Sequence, residues 1–338
     1  MKNLQQYIDK GYISKRKHPI YDIWILNYTA KCQFDKVWNE TTLQCRGLVV
    51  DENNKIIARP FKKFFNWEEL DNIKLTQPTE IFTKMDGSCI IVFWYNEKWN
   101  FATRGSFESD QAKLAEVVWN RNYKHLESQM VKSRTYIFEL IGPDNKIVVS
   151  YPKNDLVLLG VINTSTGNEF DIYSGVFNGF RLVETHGIAD ENYYSYLKNL
   201  NTSNAEGFVL RDATGFRVKI KFEEYFRLHK LLTGINEKSV WEILSTNSKL
   251  DLENVPDEFY EWFTETKDKL EEQFAEIESE SRNWLEYIET YAENRKEFAL
   301  EVQRLCNYPS VVFSMADGKD YSDLIWKILK PKIGDNNE

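Results

Sequence analysis

The residues whose types and spacing suit chemistry centre on Lys84-Met85-Asp86-Gly87-Ser88. This stretch follows the β-prone run Thr79-Glu80-Ile81-Phe82-Thr83 and precedes the apolar run Cys89-Ile90-Ile91-Val92-Phe93-Trp94-Tyr95. A lysine and an aspartate therefore sit on a glycine-bearing turn between two expected strands, and a lysine on a rigid tip is a candidate nucleophile. Further along, Lys219 and Lys221 alternate with Val218 and Ile220, so both ammonium groups face one side of a strand and can be aimed at one anion. Glu139 interrupts the apolar strand Tyr136-Ile137-Phe138-Glu139-Leu140, which points its carboxylate into an apolar neighbourhood or a cleft. Glu206-Gly207 opens another apolar run, and Arg104-Gly105-Ser106 closes the strand expected to pair with the one leaving Lys84.

Nucleotidyl transfer through a lysine needs this set. A free lysine is protonated and not nucleophilic at neutral pH, so neighbouring cations and partial desolvation must disfavour its charge. Lys219, Lys221, Arg104 and a bound Mg²⁺ (or Mn²⁺) would do that and would stabilise a departing pyrophosphate, with Glu206 as the candidate protein ligand of the metal. Glu139 can accept hydrogen bonds from ribose hydroxyls. Rival templates are absent: the chain has no GxxxxGK[ST] loop, no HExxH and no GxSxG. The four histidines, His18, His125, His186 and His229, are scattered, and the four cysteines form no CxxC pair, which fits a reducing compartment and gives no cysteine zinc site.

The elements that must position these residues read as an α+β fold. Cys45 to Val50 and Lys55 to Pro60 flank the turn Asp51-Glu52-Asn53-Asn54 as a hairpin, followed by Phe61-Lys62-Lys63-Phe64-Phe65-Asn66. A second tight turn at Asn96-Glu97 leads to the strand Lys98–Thr103. Residues 109–130 are expected to form a helix burying Leu114, Val117 and Val118, and strands are expected at 136–140, 146–149 and 156–162. Residues 174–203 are expected to be helical, with Ser174 as a cap, while Lys15-Arg16-Lys17 and the aromatic stretch Tyr21–Trp38 read as a mixed, partly helical segment. Beyond about residue 235 strand signals stop. Phe263, Leu270, Ile277, Trp284, Tyr291, Phe298 and Leu305 recur every seven residues in a stretch free of Gly and Pro, so long helices are expected, with a bend near Ser279-Glu280-Ser281.

Two domains follow: 1–235 with antiparallel sheets and helices, then an all-helical 236–338. A chain of 338 residues with 42% hydrophobic and 14% aromatic content is ample for both. The formal net charge of −9 argues against a nucleic-acid partner until its distribution is considered. Residues 236–338 carry 12 Lys+Arg against 24 Asp+Glu, which leaves the first 235 residues with a net charge of +3 and room for a basic groove. No run of 18 apolar residues occurs and the N-terminus lacks the apolar core of a signal peptide, so a cytoplasmic monomer with no membrane contact is expected.

The ordered set is similar to the covalent nucleotidyltransferases, and most similar to the RNA ligase 1 family typified by the T-even bacteriophage enzyme. The resemblance spans about residues 40–232. It is carried by Cys45-Arg46-Gly47, Ala58-Arg59-Pro60, Lys63-Phe64-Phe65-Asn66, the Lys84 stretch, Arg104-Gly105-Ser106 with Ser109-Asp110-Gln111-Ala112, and Lys219-Ile220-Lys221 with Tyr225 and Leu228-His229. It implies an ATP-dependent ligase acting on RNA with 5′-phosphate and 3′-hydroxyl ends, tRNA repair among its tasks. Lys84 would take AMP from ATP, the adenylyl group would move to an RNA 5′-phosphate, and a 3′-hydroxyl would then attack to release AMP. By the same resemblance Lys219 and Lys221 contact the α-phosphate and Glu139 the ribose, while Arg46, Lys63 and Arg104 hold other phosphates or the RNA end. Phe65, Asp86, Gly87 and Glu206 complete the nucleotide and metal environment. Arg104 departs from the family's lysine before Gly-Ser, which keeps the charge and changes the donor geometry. A helical rather than OB-type C-terminal region favours the RNA ligase 1 branch and suggests a part in choosing the RNA. Rival readings are a DNA-sealing ligase, a GTP-using capping-type enzyme and a non-catalytic nucleotide- or RNA-binding relative.

Overall fold

The computed structural model describes residues 3–70, 74–189, 197, 200, 204–223, 225, 227, 236–246 and 259–331. The chain divides into two compact units, Met1–Thr233 and Gly234–Glu338. The first unit is an α+β body of three mainly antiparallel sheets, and the second consists of helices and their connections among the described residues.

After the short helix α1 (Leu4–Asp9), the first sheet is a meander of β1 (Ile13–Lys17), β2 (Ile23–Tyr28), β3 (Arg46–Asp51) and β4 (Ile56–Ala58) in that order. Helices α2 (Ala30–Phe34) and α3 (Glu40–Gln44) fill the β2–β3 connection. Asn39 caps α3 by accepting from the Thr41 and Thr42 backbone N–H groups. Strand β5 (Phe65–Asn66) then leaves for another sheet.

Strands β6 (Thr79–Lys84) and β7 (Ser88–Tyr95) flank the turn at 85–87 but belong to different sheets. The turn after Lys84 is therefore a crossover from sheet to sheet. β7 pairs on one side with β8 (Lys98–Thr103) and on the other with β9 (Arg134–Ile141), which pairs with β10 (Asp155–Asn163). β11 (Glu169–Phe170) and β12 (Arg181–Leu182) complete that sheet along β10. β6 lies between β13 (Thr185–Ala189) and β14 (Gly207–Arg211), and β15 (Arg217–Lys221) links β14 to β5.

β7 shows why its sequence is an unbroken apolar run. Ile90 and Val92 point into a core with Trp99, Tyr136, Phe138 and the helix α4 (Asp110–Asn122), while Ile91 and Phe93 meet Ile23, Ile25, Val49 and Ala58 of the first sheet. Both faces are covered, so alternation disappears. Each of these four side chains is at most 1% exposed, and burial of such a side chain contributes roughly 1.5–3 kcal/mol.

Several expected elements take another form. Lys15-Arg16-Lys17 lies in β1, and Tyr21–Trp38 supplies β2 followed by α2, so its partly helical reading holds over Ala30–Phe34; β1 is an edge strand with four consecutive exposed residues, which hid its alternation. Lys146–Val149 is not a strand but follows the 3₁₀ turn Pro143–Asn145, and its N–H groups go to a side chain described below. Residues 174–189 are turns and strands rather than helix. Gly175 and Gly187 hold φ of +84° and +88°, outside the helical region, and Ser174 Oγ donates to Asp171 O instead of capping. Most of 190–203, the rest of that expected helix, lies outside the described residues. The helix expected over 109–130 ends at Asn122 and continues as a 3₁₀ segment, Lys124–Gln129. It buries Ala112, Ala115, Val118 and Trp119, while Val117 is exposed.

In the second unit, α5 (Glu237–Thr246), α6 (Phe259–Glu289), α7 (Arg295–Leu305), α8 (Pro309–Ala316) and α9 (Ser322–Ile328) pack around apolar stripes. Phe263, Leu270, Ile277 and Phe298 of the seven-residue series are buried. The break falls at 290–294, where Asn294 caps α7, and not at Ser279-Glu280-Ser281. Ser281 is buried inside a continuous α6. No helix among the described residues is long and apolar enough to cross a membrane.

Candidate active site

Strand register brings several of the candidate residues together. Lys84 ends β6 opposite Gly207 on β14, and Gly207 in turn faces Lys221 on β15, so one row across three strands reads Lys84, Gly207, Lys221. Glu206 immediately precedes this row. Its Oε1 lies 2.6 Å from Lys84 Nζ and 2.9 Å from Lys221 Nζ, with the carboxylate side chain only 4% exposed. A single oxygen thus holds two ammonium groups side by side. Gly207 makes the approach possible: its φ is +148°, and a Cβ there would stand 2.0 Å from Ile220 O.

Lys219 lies two residues from Lys221 on the same strand and is buried, opposite Val209 and beside Asn66 of β5. Val218 and Ile220 face the opposite way, into a core with Ile81 and Leu210. The period-two reading of this strand therefore holds in three dimensions.

Glu139 pairs in register with Cys89 on β7 and is 9% exposed. Burial pushes its carboxyl up to about 8, aided by the neighbouring carboxylates Glu206 and Asp86 and opposed by Lys84 and Arg46. At neutral pH it is mainly a neutral carboxylic acid within the field of the Lys84 ion pair. Gly87 lets the Lys84 crossover pass this strand closely, since a Cβ there would meet Leu140 O at 2.2 Å and Glu139 Cγ at 3.1 Å.

Arg46, at the start of β3, reaches the same place from the first sheet. The Cys89 thiol is raised to about 11 by burial and by Glu139, partly offset by Arg46 and Arg104 and by a hydrogen bond with Arg46. Arg46 also lies over Phe64, with its guanidinium carbon 5.6 Å from the ring centroid. Arg104 donates from Nη1 to Tyr28 Oη at 3.3 Å, and Asn27 Nδ2 donates to Arg104 O at 2.6 Å.

Lys63 is 5% exposed and stands among three aromatic rings, with Nζ 5.4 Å from Tyr28, 5.7 Å from Trp38 and 5.2 Å from Phe65. Tyr28 thus contacts both Lys63 and Arg104, and neither it nor Trp38 stands out as functional in the sequence. Their signal was the aromatic density of Tyr21–Trp38. Lys63 and Phe65 also line a cavity of about 1050 Å³ with Arg59, Glu169, Arg211 and Arg217. Lys84, Glu139 and Glu206 are not in that lining, so this cavity is separate from the Lys84 cluster.

Asp86, for which a nucleotide contact is expected, is held by the protein itself. It is 2% exposed; Oδ2 accepts from the Val148 and Val149 N–H groups at 2.8 and 2.6 Å, and Oδ1 accepts from Tyr225 Oη at 2.7 Å. Its own N–H donates to Tyr151 Oη at 3.1 Å. Asp86 is a clamp that pins the crossover after Lys84 to two distant segments, and it also explains Tyr225 in the sequence pattern. Ser109 likewise serves structure, accepting from Ala112 N as the cap of α4. Leu228 and His229 lie outside the described residues.

Comparison with known proteins gives this arrangement its relatives. The RNA ligase family model matches residues 44–226, which contain every site residue named above except Tyr28, Asn27 and Trp38. The RNA ligase of Rhodothermus phage RM378 is 25% identical over 88% of this chain and 86% of its own length. Among solved structures, an archaeal ATP-dependent RNA ligase has the same fold at a TM-score of 0.51 and 14% identity, covering 94% of this chain and 79% of that one. A Naegleria gruberi RNA ligase solved with pyrophosphate matches 46% of this chain at a TM-score of 0.39 and 16% identity, and the chain spans about half, 52%, of that structure. With the family model covering more than half of its length, this chain belongs to the RNA ligase 1 family of enzymes.

Proposed function

We propose that this chain is an ATP-dependent RNA ligase that seals a 5′-phosphate to a 3′-hydroxyl through a covalent lysine–AMP intermediate, with tRNA among the RNAs it repairs. The observation that carries the reading is the meeting of Lys84 and Lys221 on the single Glu206 Oε1. In the first step Lys84 Nζ bonds to the α-phosphorus of ATP as the α–β bridging bond breaks and pyrophosphate leaves. The lysine proton must go before attack, and Glu206 stands within hydrogen-bond reach to receive it. In the second step an RNA 5′-phosphate oxygen takes the AMP from Lys84. In the third, a 3′-hydroxyl attacks that 5′-phosphorus and AMP departs, leaving the phosphodiester.

Lys219 and Lys221, on one strand face, serve the α-phosphate, where negative charge gathers in the transition state. Neutral Glu139 can both donate to and accept from a ribose hydroxyl, which an ionised carboxylate cannot. Arg46, Lys63 and Arg104 supply the remaining phosphate or RNA-end contacts, with the aromatic rings around Lys63 fixing its position. Among the described residues no group of three or more His, Cys, Asp or Glu is set to hold a metal. That donor set fits a Mg²⁺ or Mn²⁺ ion carried chiefly by phosphate oxygens and water, with Glu206 as the protein carboxylate. Such an ion would neutralise charge on the leaving pyrophosphate.

The test is incubation with α-labelled ATP and a divalent cation, followed by denaturing electrophoresis, for wild type and Lys84→Ala. Label on the wild type alone is expected, and equal label on both proteins, or none on either, refutes the lysine–AMP step. Repeating the assay with GTP, and sealing with RNA and DNA ends, separates RNA ligation from capping-type and DNA-sealing activity.

A further inference from the structure

Strand β1 is the open edge of the first sheet, and four of its five residues, Ser14 to Lys17, are exposed. Lys15 and Lys17 rise on one face, about 6.6 Å apart along the strand. Beneath them Trp24, which pairs with Lys17 in register, lies 4.5 Å from Lys15 Nζ and 5.7 Å from Lys17 Nζ. Arg16 on the other face donates to Gly105 O at 3.1 Å, tying the strand to the loop that carries Arg104. Lys15 and Arg16 make no ion pair among the described residues, and the partner of Lys17, Asp22, is itself 69% exposed. The opposite end of the strand pair, Ile13 beside Tyr28, touches the surroundings of Lys63 and Arg104. β1 therefore runs outward from the candidate active site as a basic track. Residues 1–38 hold seven Lys+Arg against three Asp+Glu, in a chain whose overall charge is −9.

We propose that the Lys15–Lys17 edge, with Trp24 under its lysines, grips the phosphate backbone of a single-stranded RNA segment leading away from the break. The inference rests on the RNA ligase reading above. Cations backed by an aromatic ring suit a strand held through its phosphates with no reading of its sequence. Continuity with Arg104, through Arg16 and Gly105, makes this edge an extension of the site rather than an isolated charged patch. The competing explanation is that the lysines only guard an open strand edge against pairing with another chain.

The test uses full-length Lys15→Gln/Lys17→Gln, which keeps polar side chains on the edge and removes both charges. Three readings are taken: covalent labelling with ATP, KM for sealing pre-adenylylated RNA of about 16 nucleotides per arm, and the salt dependence of RNA binding. Unchanged labelling, a KM raised roughly tenfold and a log–log salt slope shallower by about 1.4, at about 0.7 for each of two phosphates, are expected. Lys15→Arg/Lys17→Arg should behave as wild type. An unchanged KM and slope, with or without self-association of the Gln variant, overturns the proposal, as does loss of ATP labelling in that variant. Absence of labelling in the wild type instead overturns the ligase reading itself.

Discussion

Glu139→Gln should stabilise the protein at alkaline pH. In the folded chain burial holds the Glu139 carboxyl at about 8, against a reference value of 4.5. Between those two values the unfolded chain has released this proton and the folded chain has kept it. The unfolded state then binds about one proton fewer, so stability falls as pH rises, by about 1.4 kcal/mol per unit. Over the whole interval the raised carboxyl costs at most about 5 kcal/mol. The cost is absent below the unfolded value and complete once pH passes the folded one. Glutamine keeps the shape and hydrogen-bonding capacity of the protonated acid and does not titrate. The assay is urea unfolding of wild type and Glu139→Gln at steps from pH 5 to 9, followed by tryptophan fluorescence. The stability difference should grow in favour of the variant up to about pH 8 and then level off. A difference that stays flat from pH 5 to 9, or that grows in favour of the wild type, refutes the reasoning, because it means Glu139 is ionised in the folded state.

Three further outcomes follow from the same geometry. Asp86→Ala strands two backbone N–H groups and the Tyr225 hydroxyl, so it should lower the unfolding free energy by about 2–4 kcal/mol, read by the same urea titration. Gly207→Ala combines a disfavoured φ with a Cβ 2.0 Å from Ile220 O; it should lower the melting temperature markedly or leave the protein insoluble, and a soluble variant with wild-type melting would contradict the row described here. Cys89, raised to about 11 by burial, should resist maleimide at pH 7 in the native protein and react after unfolding, measured by mass spectrometry of the labelled peptide.

How much of this was legible in the sequence depends on how local each signal is. β6, β7 and β8 announce themselves through β-branched and aromatic runs closed by Gly87 and Asn96-Glu97, and Lys219–Lys221 through strict alternation. Glu139 was visible because a carboxylate inside an apolar strand is costly without a reason. The clamp formed by Asp86 is not legible in the sequence because its partners lie 62, 63 and 139 residues away, and no spacing rule links a clamp to segments so remote. The same clamp consumes the Val148 and Val149 N–H groups, which is why a run with β composition makes no ladder. β1 was missed because an edge strand with polar residues on both faces has no period of two to detect. The helix expected over residues 174–203 does not form over 174–189, where Gly175 and Gly187 take positive φ, a backbone choice that residue composition does not record.

The role of Gly207 shows how the sheet and the chemistry constrain each other. Two lysines on the strands flanking β14 repel, and a sheet that brings Lys84 and Lys221 into one row needs a counter-charge between them. The strand between, β14, cannot supply it from the row itself, since a side chain there would collide with Ile220 O. The carboxylate therefore comes from the residue before, Glu206, where the strand has not yet begun and the backbone can turn its side chain between both ammonium groups. Phe222 N–H donates to Glu206 O at 3.0 Å and fixes that turn. The Glu-Gly pair is thus a single device: the glycine clears the row, and the glutamate offsets one of its two positive charges. Glu206→Gln should accordingly lose covalent AMP labelling even though the side chain still fits. A labelled Glu206→Gln protein at wild-type rate would show that the ammonium groups do not need the carboxylate.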